Sequence, residues 1–196
     1  MQGNGIIIQV KKLNDKDAFI KIFTDCGNIV SGFFKYGLSK KNLQTCQISN
    51  LVKFSWIGRE NSLGSISVQS IKSYSSLVIL SKISTLSTAS IINLLYTLLD
   101  DKYSYIVLYE KLLHFLNTLS NNLSNYGLIL YEYIQLEIIL LITTGYYKSD
   151  EIGKYKNYIF LNEIFVHHNK VIPRERNLLE NIIIKYLENN NFDIKV

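Results

Sequence analysis

Over the first 75 residues hydrophobic positions recur at every second place, in short runs: GIIIQVKKL (5–13), DAFIKIFTD (17–25), NIVSGFFKY (28–36), LVKFSWIGR (51–59) and LGSISVQSIKS (63–73). Each run is rich in β-branched or aromatic residues and is bounded by Gly, Asn, Asp or Ser, the pattern of a strand. In the fourth run Val52, Phe54 and Trp56 share one face, and Lys53, Ser55 and Ile57 the other. DCGN (25–28) and RENS (59–62) suit hairpin turns. Five strands with one longer connection, between the third and fourth, predict a small closed Greek-key barrel of the OB type. An SH3-like barrel fits the pattern almost as well.

From about residue 76 the period lengthens to that of a helix. Ile83, Leu86, Ile91, Leu94, Leu95, Leu98 and Leu99 mark one apolar stripe, and Ile106, Tyr109, Leu112, Leu113 and Leu116 a second. Residues 126–144 are apolar on most sides, which predicts a central helix. After Gly145, KSDEIGKYKN is polar and reads as a loop. IPRERNLLENIIIKYLENN reads as a last helix, with Pro173 in the first turn where its missing N–H does no harm. Its expected inward face is Leu178, Leu179, Ile182, Ile183, Tyr186 and Leu187. The fold class is therefore α+β. An all-β OB-fold domain spans 1–75 and a helical domain 76–196, the latter divided into a three-helix core (77–146), a shortened loop region (147–172) and a C-terminal helix (173–190).

Composition narrows the chemistry. With 47% hydrophobic residues the 196-residue chain has ample material for a core. No secretory signal pattern opens it. The apolar stretch 126–147 is interrupted by Glu132 and Glu137 and falls short of the ~20 residues of a spanning helix, so no membrane span is expected. Cys26 and Cys46 stand twenty positions apart, and His167 and His168 are adjacent and so point apart, which leaves no metal site in view. GNG (3–5) precedes a strand instead of following one, no serine sits in a nucleophile elbow, and the carboxylates are scattered. The chain reads as a binding protein, not an enzyme, and calls for no cofactor.

Charge then says where binding occurs. Residues 1–75 hold ten Lys/Arg against four Asp/Glu, whereas 76–196 hold eleven against twelve, so the net +5 belongs to the β segment. Its focus is FFKYGLSKKN (33–42), where Lys35, Lys40 and Lys41 accompany the expected stacking platforms Phe34 and Tyr36. Cations beside aromatic faces are what a single-strand groove needs, because phosphates release counterions and bases stack. Alternation forbids Phe33 and Phe34 from both facing outward, so one of the two belongs to the core. Lys11, Lys12, Lys53 and Arg59 extend the patch. Arg174 and Arg176 oppose the macrodipole at the start of the last helix, so they either join the DNA-binding set or pair with Glu175 or Glu180.

The order of residues resembles the bacterial recombination mediator family RecO. LNDKDAFIKIFTDCGNIVSGFFKYGLSKKN is similar to the opening of that family: an acidic turn, an Ile-Val-type strand ending in Phe-Thr, a glycine turn, and a strand leading to a basic loop. NLVKFSWIGRENSLGSISV matches further landmarks at Asn50, Leu51, Val52, Trp56, Arg59, Leu63 and Gly64. LEIILLITTGYY supplies Glu137, Leu140, Leu141, Gly145 and Tyr146, and VIPRERNLL supplies Pro173 and Arg176. The four-cysteine zinc motif that many members carry after the Gly-Tyr is missing, so the resemblance carries no zinc over, and the basic loop has lysines where arginines often stand.

The resemblance implies a cytoplasmic, nucleoid-associated bacterial protein of DNA repair and recombination. Such a protein binds single- and double-stranded DNA and anneals complementary strands. With RecR, it helps load RecA onto DNA coated by single-strand-binding protein. It also implies a pocket for the acidic tail of that coating protein in the helical part, where Lys82, Lys102 and Lys111 are the candidate cations. Two other readings remain open: a protein-interaction scaffold, and a small RNA-binding OB protein without annealing activity.

Overall fold

The structure is a computed structural model that describes residues 1–58, 63–146 and 172–190. The RENS turn with Arg59, the KSDEIGKYKN loop and the His167–His168 pair lie outside the described residues. Five strands, β1 (Gln2–Lys12), β2 (Ala18–Thr24), β3 (Ile29–Phe34), β4 (Leu51–Ile57) and β5 (Gly64–Lys72), close into a barrel in the order β1-β2-β3-β5-β4. That order, closed by a parallel β3–β5 pair among antiparallel neighbours, is the OB arrangement. The alternation in the sequence sets its two faces. Ile7, Ala18, Ile20, Ile22, Val30, Val52, Phe54 and Ile66 fill the interior.

Closure depends on two glycines and a tryptophan. Gly32 faces Gly64 across the β3–β5 pair, and a Cβ on Gly32 would stand 2.4 Å from the Gly64 carbonyl oxygen. A Cβ on Gly64 would stand 2.3 Å from Trp56 Nε1. The indole lies over this seam and donates to the Ser31 carbonyl at 3.1 Å. Trp56 and Gly64 therefore have a shared packing reason: no side chain fits where the barrel is tied shut.

The helices are α1 (Ser75–Val78), α2 (Lys82–Leu98), α3 (Ile106–Asn121), α4 (Tyr126–Thr143) and α5 (Arg174–Asn190). Ser81 caps α2 by accepting from the Ser84 N–H, and Asn125 caps α4 by accepting from the Leu128 N–H. The single turn α1 is too short to leave a period in the sequence. By length and composition α4 would suffice to cross a membrane, yet half of it is buried inside this molecule. It packs against α2, α3 and α5 as the central helix.

Barrel and helices share one core. Ile6, Ile8 and Phe23, on the outer face of β1 and β2, belong to the same buried cluster as the helical residues. Phe23 meets Tyr109 edge-on at 5.6 Å, and burial pushes the Tyr109 hydroxyl up to about 12. The β2–β3 turn is bonded to the start of α3: Tyr105 N–H donates to the Gly27 carbonyl at 2.8 Å and Ser104 Oγ to the Cys26 carbonyl at 2.6 Å. Gly27 (φ 78°) is glycine of necessity, since a Cβ there would lie 2.4 Å from the Ile106 nitrogen.

Three expectations for the helices change. Ile106 is half exposed at the start of α3, where Leu108, Tyr109 and Leu112 turn inward instead. Leu178 faces out, while Leu179 and Ile183 are the buried positions of α5. Arg176 is not a surface cation: only 2% exposed, it places Nε 2.6 Å from Glu137 Oε1 inside the bundle. Neither Glu175 nor Glu180 is its partner in that pair. Tyr133 donates to the same carboxylate at 3.2 Å and stands 2.8 Å from Ser90 Oγ, so one polar chain ties α2, α4 and α5. Burial, reinforced by the Glu137 charge, holds the Tyr133 hydroxyl well above its usual range.

Candidate nucleic-acid interface

Two connections meet at one end of the barrel. The β1–β2 hairpin turn carries Lys12 and Lys16, and the β3–β4 connection carries Lys35, Lys40 and Lys41. Asp17 clamps them together, its Oδ1 accepting the Tyr36 N–H at 2.8 Å and its Oδ2 the Asn14 amide at 2.8 Å. Those bonds, the Asn14 one foremost, hold the Asp17 carboxyl below the usual carboxylate range. A second tie runs from the Leu38 N–H to the Lys16 carbonyl at 2.8 Å. Tyr36 adopts φ 57°, and its carbonyl accepts from Ser39 Oγ and Asn42 Nδ2, which folds the lysine-bearing loop back on itself.

The same loop is anchored from below. Leu38 and Cys46 plug the barrel interior, and burial pushes the Cys46 thiol up to about 11. Fully buried Asn50 donates its amide to the Gln44 and Thr45 carbonyls, and its Oδ1 accepts from the Ser75 N–H at 3.0 Å. The loop is thus a built platform that keeps its cations exposed while Leu38 and Cys46 hold it to the barrel interior.

Strand register adds what the sequence did not isolate. Lys11 lies opposite Phe19, Phe19 opposite Phe33, Phe33 opposite Ser65, and Ser65 opposite Ile57. All five point outward, so a band crosses the barrel wall with a cation at one end and Ile57, 76% exposed, at the other. Phe33 is 40% exposed and meets Phe19 edge-on at 6.4 Å. Phe34, the expected platform, is 5% exposed and packs in the barrel interior. The alternation is respected, but its phase places Phe33 outside.

The remaining candidates divide. Lys35, Tyr36, Lys40 and Lys41 are exposed together on the loop, and Lys35 Nζ lies 5.3 Å from the Tyr36 ring centroid. Lys11 is exposed at the end of the band, and Lys12 is exposed but pairs with Asp15 at 2.9 Å. Lys16, which lies between two aspartates in the sequence, joins them. Lys53 is exposed on β4 opposite Asn4, seven residues along β1 from Lys11 and so roughly 20 Å away at strand spacing. Arg174 is exposed on the first turn of α5, apart from the barrel loops. The three tail-binding candidates are also scattered: Lys82 opens α2, Lys102 lies between α2 and α3, and Lys111 is on α3. Of these Lys111 lines a cleft of about 210 Å³ with His114, Glu132 and Gln135. Among the described residues no three His, Cys, Asp or Glu side chains gather as a metal site.

Comparison with known proteins gives this geometry a lineage. The chain is 32% identical over 142 residues to the DNA repair protein RecO of Orientia tsutsugamushi (strain Ikeda), covering 72% of this chain and 57% of that protein. It is related to the RecO family. The DNA repair protein RecO of Rickettsia typhi (strain Wilmington) is 31% identical over 143 residues, covering 72% of this chain and 58% of that one. That of Rickettsia canadensis (strain McKiel) is likewise 31% identical, with 72% and 57% covered. The matches thus span a little over half the length of these curated relatives. No family model matches the chain.

Proposed function

We propose that this chain is a RecO-like DNA-binding recombination mediator that holds single strands on its barrel and anneals complementary strands in DNA repair. The observation that carries the reading is the union of the clamped lysine loop with the outward Phe19–Phe33 band on one barrel wall, in a relative of RecO proteins. Lysine ammonium groups neutralise phosphates, and the aromatic band accepts unpaired bases, which a duplex keeps stacked inside.

Annealing on such a surface needs no catalytic residue. Screening the repulsion between two phosphate backbones and holding unpaired bases near one another lowers the barrier, so the protein acts without turnover. Double-stranded DNA binds through the lysines alone, and more weakly. By the same relationship, the chain helps load RecA with RecR on strands coated by single-strand-binding protein, and meets the acidic tail of that protein through its helices. These partners place it in the bacterial cytoplasm, at the nucleoid.

Fluorescence anisotropy of a labelled oligonucleotide across a salt series tests the reading. Affinity falls as salt rises, and changing Lys35, Lys40 and Lys41 together to Glu abolishes binding at ordinary salt while the far-ultraviolet circular dichroism stays the same. Taking each lost phosphate contact at about 0.7 in the log–log slope for single strands, removing three reduces it by about 2. Unchanged affinity in the folded triple variant would remove the loop from the site.

A further inference from the structure

Lys21 and Tyr96 join the open barrel wall to the helices. The outward positions of β2 run Phe19, Lys21 and Phe23, alternating with the interior Ile20 and Ile22. Phe19 belongs to the open aromatic band, whereas Phe23 is covered by Tyr109 of α3. Lys21 lies two residues from each, roughly 7 Å at strand spacing, and so marks where the open wall meets the helical part. Its ammonium stands 5.1 Å from the ring centroid of Tyr96 on α2.

The surroundings leave that cation uncompensated. Across the sheet Lys21 faces Gln9 of β1 and Ser31 of β3, neither of them acidic. Among the described residues no carboxylate stands within ion-pair distance of it, in contrast to Lys12 and its partner Asp15. An aromatic face attracts an ammonium without cancelling its charge, so the contact fixes Lys21 in place and leaves it able to meet an anion. Tyr96 stays 45% exposed in spite of the contact. The arrangement repeats that of Lys35 over Tyr36 on the loop. Along β2 the order is Asp17, which holds the lysine loop, then Phe19, then Lys21. One cation–aromatic pair therefore flanks the band on each side.

We propose that a bound single strand continues past the band onto the second pair, where Lys21 neutralises a phosphate and the uncovered part of the Tyr96 ring receives a base. This rests on the proposed function and extends its site from the barrel to α2. Asp100 and Asp101, exposed just past the end of α2, set the limit of the path by repelling phosphates.

Anisotropy with labelled oligothymidylates of about 4 and about 16 nucleotides, the range that one barrel of this type occupies, tests the extension. Lys21→Gln lowers the log–log salt slope for the long strand by about 0.7, the share of one phosphate. Tyr96→Leu weakens long-strand binding by roughly tenfold. The short strand, held at the loop and the band, binds both variants as it binds wild type. Tyr96→Phe restores long-strand affinity, because the ring and not the hydroxyl makes the contact. Ultraviolet light crosslinks the long strand to Tyr96, which a ring serving only as packing does not allow. Wild-type affinity and salt slope for the long strand in both Lys21→Gln and Tyr96→Leu overturn the extension and leave the loop and band standing. Loss of stability in urea with no change in length dependence overturns it too, since the contact then only fastens β2 to α2. A wild-type chain that binds neither oligonucleotide strikes the proposed function itself, and the extension with it.

Discussion

Phe33 and Phe34 show how much one position decides. The two are chemically identical neighbours, yet Phe33 lies outside between Phe19 and Ser65, while Phe34 closes the barrel interior. Phe33→Ala is expected to weaken single-strand binding by roughly tenfold, from ~1–3 kcal/mol of lost base stacking, with duplex affinity nearly unchanged. Phe34→Ala should instead destabilise the fold by about 3–5 kcal/mol, measured by urea unfolding. Equal losses of single-strand and duplex binding in Phe33→Ala would mean that bases do not stack there. Alternation in the sequence established that these residues part company. It did not establish the phase, which depends on Phe34 finding Leu38 and Cys46 at the mouth of the barrel. Lys16 was hidden for a similar reason: flanked by Asp15 and Asp17, it reads as neutralised until Asp17 turns to the Tyr36 N–H.

Elements were more legible than their faces. The five strands follow from β-branched alternation and turn residues, and the long helices from their apolar period, because both signals are local. Register is not local, and the band from Lys11 to Ile57 exists only through it. The start of α5 illustrates the other limit. Two arginines at a helix N-terminus suggest ligand contacts, but Arg176 meets Glu137 from a helix 39 residues earlier, which no spacing rule anticipates. Arg176→Ala is expected to cost about 3–5 kcal/mol of stability in urea unfolding, since it removes the cation paired with the buried Glu137 carboxylate. Under conditions where the variant remains folded, its single-strand affinity should equal that of wild type. A stability loss below about 1 kcal/mol, or a selective loss of DNA binding, would contradict the placement of this side chain.

At the scale of the whole molecule, the division into a β part and a helical part read from the sequence describes chain order but not mechanics. Phe23, Gly27, Lys72 and Tyr74 of the β segment bond or pack onto α3, with Lys72 Nζ and Tyr74 hydroxyl both meeting Asn117 Oδ1, at 2.9 and 2.6 Å. The helices cover the outer barrel wall at Ile6, Ile8 and Phe23 and leave the wall at Phe19 and Phe33 open. On the proposed function, the DNA lies on this uncovered wall. Ultraviolet crosslinking of a bound single strand, mapped by mass spectrometry, reads that position outright. Crosslinks at Phe19, Phe33 and Tyr36 are the predicted result. Crosslinks confined to exposed helical aromatics such as Tyr103 and Tyr126, with the barrel wall untouched, would contradict it.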